Sequence, residues 1–244
     1  MTRNRWLAPA GLAAAAGLAA GCGAGAPSPG ASPAKTPAAA SSAPASPASA
    51  AALAQQTNHA VITATSVHLS GLAVRGSQRV MLDVGLTRGG DSSGEVQLGS
   101  KPVTFVVLQG KAYIKVTRDL VKAMNGTAAA CRLFCGKYVV ASKSDAKSMI
   151  GSLGWSTLLG PAARQDLRGV KLAGSATVNG QQAWVLRTKA GGTVYVAARG
   201  TPYPLRITPP GGQGNGHIDF TDWNRVTVSR PPASKVVNAS HLGA

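Results

Sequence analysis

The sequence predicts an α+β domain built on a large antiparallel sheet, and three observations lead there. Apolar and polar residues alternate with period two from about Ser66 to Val116 and again from Val170 to Ser229. Between those stretches the period becomes helical, with Ala146, Met149, Ile150 and Leu153 on one face. Asn179-Gly180 separates two alternating runs and reads as a hairpin turn, because both residues tolerate positive φ. Two meanders divided by helices collect the helices on one side of the sheet. Such a sheet hides its apolar face under flush helices or curls around a lined cavity, and composition does not choose between the two.

In chain order, a first helix is expected over Leu53 to about Ile62. Ser66-Val67-His68-Leu69-Ser70 alternates as a half-buried strand, and Arg79 to Leu86 places Val80, Leu82, Val84 and Leu86 on one face. Glu95-Val96-Gln97-Leu98, Val103 to Leu108 with Phe105 and Val107, and Lys111 to Val116 across Gln109-Gly110 extend the meander. A short helix runs from Arg118 to Met124 before Asn125-Gly126, Ser144 is placed to cap a helix ending at Gly154, and another helix starts near Pro161. The second meander comprises Val170 to Val178, Gln181 to Arg187, Thr193 to Ala197, an edge-compatible Pro202 to Ile207, Gly216 to Phe220, and a last strand at Arg225 to Ser229.

The segment before this domain reads as an address. Arg3 and Arg5 precede an uncharged run to about Leu18 that is too short to span a bilayer, and Ala19-Ala20-Gly21 lead to Cys22. That order reads as a bacterial lipoprotein signal over residues 1–21, although Leu18 lies one position further back than usual; ordinary secretion with an unmodified Cys22 is the alternative. Cleavage before Cys22 exposes its thiol for a diacylglycerol thioether, and two acyl chains meet the requirement for stable anchoring. Residues 22–50 are almost wholly Ala, Ser, Pro, Gly and Thr with the single charge Lys35, a linker that cannot bury a core. Residues 51–244 then form one domain large enough for a sizeable core. The expected location is the extracytoplasmic face of the cell membrane.

Charge and chemistry narrow the function classes. The chain has 25 Lys+Arg against 8 Asp+Glu, a net +17 that falls to about +15 without Arg3 and Arg5. The charges are scattered and aromatics few, so no nucleic-acid partner is expected; anionic headgroups or cell-wall polymers fit the address, and solubility alone also accounts for such a charge. Cys131 and Cys135 form an even pair that reads most simply as a disulfide pinning its local loop; a redox pair favours a two-residue gap and a metal needs further ligands. His59, His68, His217 and His241 are dispersed. Ser144-Asp145-Ala146-Lys147 matches an S-x-x-K pattern without its companion elements, and the glycine-rich run 211–216 is followed by no helix. No catalytic residue, metal site or cofactor is therefore expected, and the chain is not read as an enzyme.

Several fragments, in order and spacing, resemble a known family: Ser66 to Gly71, Gly110-Lys111-Ala112-Tyr113-Ile114-Lys115, Gly136-Lys137-Tyr138-Val139, Val178-Asn179-Gly180-Gln181, Gly192 to Ala197, Pro202 to Arg206, and Phe220-Thr221-Asp222-Trp223. From about Ala51 to Leu242 the chain resembles the LppX/LprG family of actinobacterial lipoproteins. The resemblance implies a curled antiparallel sheet, a half-open β-barrel, with helices packed on its concave face and enclosing an apolar cavity for acyl chains. It also implies a protein that binds or moves lipids or glycolipids across the envelope. The family brings no ligand-contact motif, so the lipid-pocket candidates rest on alternation: Val67, Leu69, Val80, Leu82, Val84, Val96, Leu98, Phe105 and Val107 from the sheet, with Met149, Ile150 and Leu153 from the helix. Ordinary core packing explains the same pattern. The function expected is a membrane-anchored lipid carrier, and the alternative is a non-catalytic interaction module supporting an envelope transporter or cell-wall machinery.

Overall fold

Among the described residues, alternation is realised as twelve strands in one sheet. The computed structural model describes residues 46–75, 78–99, 101–159, 167, 169–211 and 216–238, all within one compact unit, Ala43–Ala244. The leader, Cys22, the linker up to residue 45 and the helix expected near Pro161 lie outside the described residues. The strands are β1 (Ser66–Arg75), β2 (Gln78–Thr87), β3 (Ser92–Leu98), β4 (Lys101–Leu108), β5 (Lys111–Lys115), β6 (Tyr138–Val140), β7 (Lys171–Val178), β8 (Gln181–Arg187), β9 (Thr193–Ala197), β10 (Pro204–Thr208), β11 (Gly216–Thr221) and β12 (Val236–Asn238). Their spatial order is β12-β6-β5-β4-β3-β2-β1-β11-β10-β9-β8-β7. Each meander is thus one half of the sheet, and the β1–β11 pairing, with Leu69 opposite Phe220, joins them. All pairings are antiparallel except β12 with β6. β7 and β12 are the two edges, so the sheet curls without closing.

Curling needs close backbone approach, and Gly94 in β3 provides it. Its φ is +150°, and a Cβ there would lie 2.0 Å from the Asp83 carbonyl oxygen of β2. No other residue fits that position without moving the neighbouring strand.

Helices cover the concave face in two places. α1 (Ala50–Thr63) begins one residue inside the expected linker, where the Ser49 hydroxyl accepts from Ala52 N–H at 3.0 Å. Its Leu53, Ala54, Thr57, Ala60 and Val61 are buried at helical spacing, and Leu53 and Ala54 pack with Leu186, Val194 and Val196 of β8 and β9. α4 (Lys143–Leu153) and α5 (Trp155–Leu158) cover the other half. Ser142, not the expected Ser144, caps α4: its Oγ accepts from Asp145 N–H at 3.2 Å and donates to the Asp145 carboxylate at 2.7 Å. The two serines are equally good caps, and the backbone turns helical two residues earlier. α2 (Arg118–Ala123) and α3 (Ala128–Phe134) bury none of their own residues and stand as a short exposed hairpin.

Two strand expectations are corrected. Pro202 to Ile207 is not at an edge: β10 lies between β9 and β11, with Pro204 as its first residue and a bulge between Pro204 and Arg206 that accommodates the missing N–H. Arg225 to Ser229 is not a strand. This segment crosses the outer face, where Val226 N–H donates to Ser66 Oγ at 3.0 Å and the Val226 side chain fills the space above Gly85. Val106 and Tyr113, further along the same cross-strand row, are buried, as is Pro231 of the strap. The strap ends in β12, which pairs with β6 at the far edge.

Candidate functional site

The concave face is assembled from alternate residues of neighbouring strands. Leu69 lies opposite Val84, Leu82 opposite Val96, Val80 opposite Leu98, and Phe105 and Val107 opposite Gly94 and Ser92. The structure divides these residues into two zones. Val67, Leu69, Val84, Phe105 and Val107 are at most 2% exposed and form one dry cluster with Leu86, Ala112, Ala146, Leu159 and Phe220. Met149, Ile150 and Leu153 of α4 lie against that cluster, half-buried, together with Trp155 and Leu158 of α5. Over this zone the helices pack flush.

Further along the same strands the cover thins. Val80, Leu82 and Val96 are only half-buried, and the side chain of Leu98 lies outside the described residues. Ala73 opposite Val80, Val103 opposite Val96 and Ile218 opposite Gly71 continue this apolar band, each also half-buried. These three were absent from the sequence candidates, although Val103 alternates with Phe105 and Val107, and Ile218 with Phe220. Ile207 of β10 touches both the α4–α5 cluster and the α1 cluster. The candidate site is thus a partly open apolar floor, continuous with a dry core.

Polar groups belong to the outer face and to the ends of the covering helices. Arg206 Nε donates to Asp219 Oδ1 at 2.5 Å and its Nη2 to Oδ2 at 2.8 Å, a bidentate pair whose side chains are 20% and 15% exposed. Burial pushes the Asp219 carboxyl up, but hydrogen bonding to Arg206 and its charge outweigh this, with Asn179 and His217 assisting, and hold it below the usual carboxylate range. The same hydrogen bond to Asp219 raises the Arg206 guanidinium against its own desolvation. Arg88 joins the helical covers: its Nε donates to Ala64 O at 2.7 Å, its Nη2 to Val61 O at 3.1 Å and to Ile62 O, and its guanidinium lies 4.9 Å from the Trp155 ring centre. No sequence pattern pointed to Arg88.

Ser144 Oγ is 2.9 Å from Ser142 Oγ within the α4 cap, and the His217 and Asp219 side chains are 3.8 Å apart with Asp219 held by Arg206. Among the described residues no group of three or more His, Cys, Asp or Glu could hold a metal ion, and no helix is long and apolar enough to cross a membrane. Cys131 and Cys135 are joined by a disulfide, S–S 2.00 Å, across the last turn of α3. Between α2 and α3 lies a cleft of about 640 Å³ lined by Arg118, Val121, Lys122, Arg132 and the disulfide, among others.

No protein-family model matches this sequence, and comparison with curated proteins finds no match. Solved structures do match. LprF from Mycobacterium bovis superposes with a TM-score of 0.51 at 16% identity, over 75% of this chain and 96% of that one. The Mycobacterium tuberculosis lipoprotein LppX gives 0.45 at 17% identity, over 74% and 98%. LprF and LppX are members of the family the sequence resembles, and this chain has the fold of LprF.

Proposed function

We propose that this chain is a membrane-anchored extracytoplasmic lipoprotein that binds lipids or glycolipids through their acyl chains and carries them. The observation that supports this reading best is the half-buried apolar band of Ala73, Val80, Leu82, Val96, Val103 and Ile218 on the concave face of an LprF-like sheet. An acyl chain lying on that band removes apolar surface from water on both sides. At ~25 cal/mol per Å², about 250 Å² gives a gross gain of roughly 6 kcal/mol, which offsets association costs at the low end of their range without a specific polar contact. The dry cluster around Val67, Leu69, Val84, Phe105 and Val107, with Met149, Ile150 and Leu153, supports the floor and extends the pocket when α4 and α5 lift to close an enclosed cavity around the chain. Cys22 holds the protein at the membrane, and the linker sets its reach. Reversible binding suffices for transfer, and no chemical step is required.

The flush packing of α4 and α5 supports a second reading, an interaction module with a solid core that serves an envelope transporter. Fluorescent long-chain fatty acid and phospholipid titrated into residues 23–244 separate the two. Saturable binding by the unmodified chain, lost in Val96→Trp with its melting transition retained, is expected for the carrier. A chain that binds neither probe rejects it. Leu82→Asp is the second variant, placing a charge in the band without adding bulk.

A further inference from the structure

We infer that the α2–α3 hairpin is a docking element for an anionic phospholipid bilayer. α2 and α3 contribute no buried residue, yet they display two large apolar side chains to solvent, Met124 at 74% and Leu133 at 61% exposure. Met124 follows α2 at the turn and Leu133 lies in the last turn of α3, and at these exposures neither side chain is part of the core. Arg118, Lys122 and Arg132 line the cleft between the two helices, and Lys111, Lys115 and Lys137 precede and follow them in the sequence. From Lys111 to Lys137 the sole acidic residue is Asp119.

Exposed apolar side chains set among cations match the interface of an anionic membrane. Met124 and Leu133 enter the boundary between headgroups and acyl chains, while the guanidinium and ammonium groups stay at phosphate level. An acidic protein surface would satisfy the charges and leave the two apolar side chains wet. Preorganisation supports the same use. Leu133 lies between the bonded Cys131 and Cys135, and Thr117 and Thr127 cap α2 and α3 by accepting from Leu120 N–H and Ala130 N–H at 3.1 and 3.2 Å. The turn between the helices is set by Asn125 at φ +57°. Little ordering entropy is therefore lost on docking. The inference goes beyond the carrier reading and does not need it, since a bilayer can be met by a domain whose concave face is empty.

The test uses residues 23–244, which lack the lipidated cysteine and keep the whole folded unit, and sedimentation with vesicles of phosphatidylcholine alone or mixed with phosphatidylglycerol. Co-sedimentation with the anionic vesicles is expected, falling with added salt and weak on phosphatidylcholine. Lys122→Glu with Arg132→Glu lowers the partition coefficient about ten-fold or more, and Met124→Ser with Leu133→Ser lowers it at unchanged net charge. Lys171→Glu with Arg187→Glu, on exposed positions of β7 and β8, makes the same charge change elsewhere and leaves most of the binding. Circular dichroism checks that each variant is folded. Absence of binding to anionic vesicles overturns the inference, as does equal loss in the β7–β8 control. Fatty-acid uptake in vesicle-free solution is retained by the hairpin variants, so failure of docking and failure of the carrier reading are read separately.

Discussion

Replacing Arg88 by alanine removes a side chain that ties α1 to α5. In the native protein its guanidinium serves the Ala64, Val61 and Ile62 carbonyls at the end of α1 and lies over Trp155 of α5. Those carbonyls have no partner further along the helix, so the guanidinium is at once their donor and a positive charge at the negative end of the helix. The site is open to water, which takes over part of the bonding when the side chain goes. Charge-assisted bonding at the low end of its range contributes ~1.5–2 kcal/mol, and the cation–π contact adds ~0.5–1 kcal/mol. Arg88→Ala should therefore cost about 2–3 kcal/mol, lowering the melting temperature by roughly 4–12 °C for a domain of this size. Arg88→Lys should recover less than half, because a single ammonium cannot span three carbonyls and a ring. Urea unfolding followed by circular dichroism, with Trp155→Ala completing a double-mutant cycle, measures both quantities. A loss below about 0.5 kcal/mol, or full rescue by lysine, would refute the clasp.

Two further perturbations address the sheet. Gly94→Ala places a Cβ against the Asp83 carbonyl at a φ that L residues avoid, so it should destabilise by roughly 2–4 kcal/mol in equilibrium unfolding, whereas Gly110→Ala, which meets no neighbouring atom, should cost less despite its positive φ. The Asp219 carboxyl is held below its unfolded value near 3.9, so its stabilising contribution is present above that pH and is lost as pH falls through the folded value. Asp219→Asn should remove that part of the acid sensitivity and cost ~2–3 kcal/mol near pH 7, since Arg206 is left largely buried without its counter-charge. Stability measured from pH 7 down to pH 3 in both proteins checks the sign.

Strands with one buried face were legible in the sequence because period two and burial coincide. β2 shows this plainly, its Val80, Leu82, Val84 and Leu86 alternating with Arg79, Met81, Asp83 and Gly85. β6 and β12 were not legible as strands: each is three residues long and pairs with a partner remote in sequence, so no local pattern marks it. The strap from Asp222 to Pro232 resembles a strand for a related reason, since Val226 and Val228 alternate as half-buried residues without pairing into the sheet, Val226 lying over Gly85. Pro204 suggested an edge, but a first residue beside a bulge frees it from donating, and β10 is interior. For the candidate floor, alternation identified the face and not the depth along it. Phe105 and Leu82 look alike in sequence, and their position relative to the α4–α5 cover, which no local pattern encodes, makes one dry and the other half-open. Arg88 was invisible because its partners lie more than twenty residues back in the chain and are backbone carbonyls.

The central claim is that the concave apolar floor holds acyl chains. Residues 23–244, purified without detergent from a bacterial host, extracted with organic solvent and analysed by mass spectrometry, test it most directly. The account predicts co-purified fatty acid, phospholipid or glycolipid in a near-stoichiometric ratio, reduced in Val96→Trp. A folded chain that yields no lipid above the level of an unrelated control protein would contradict it.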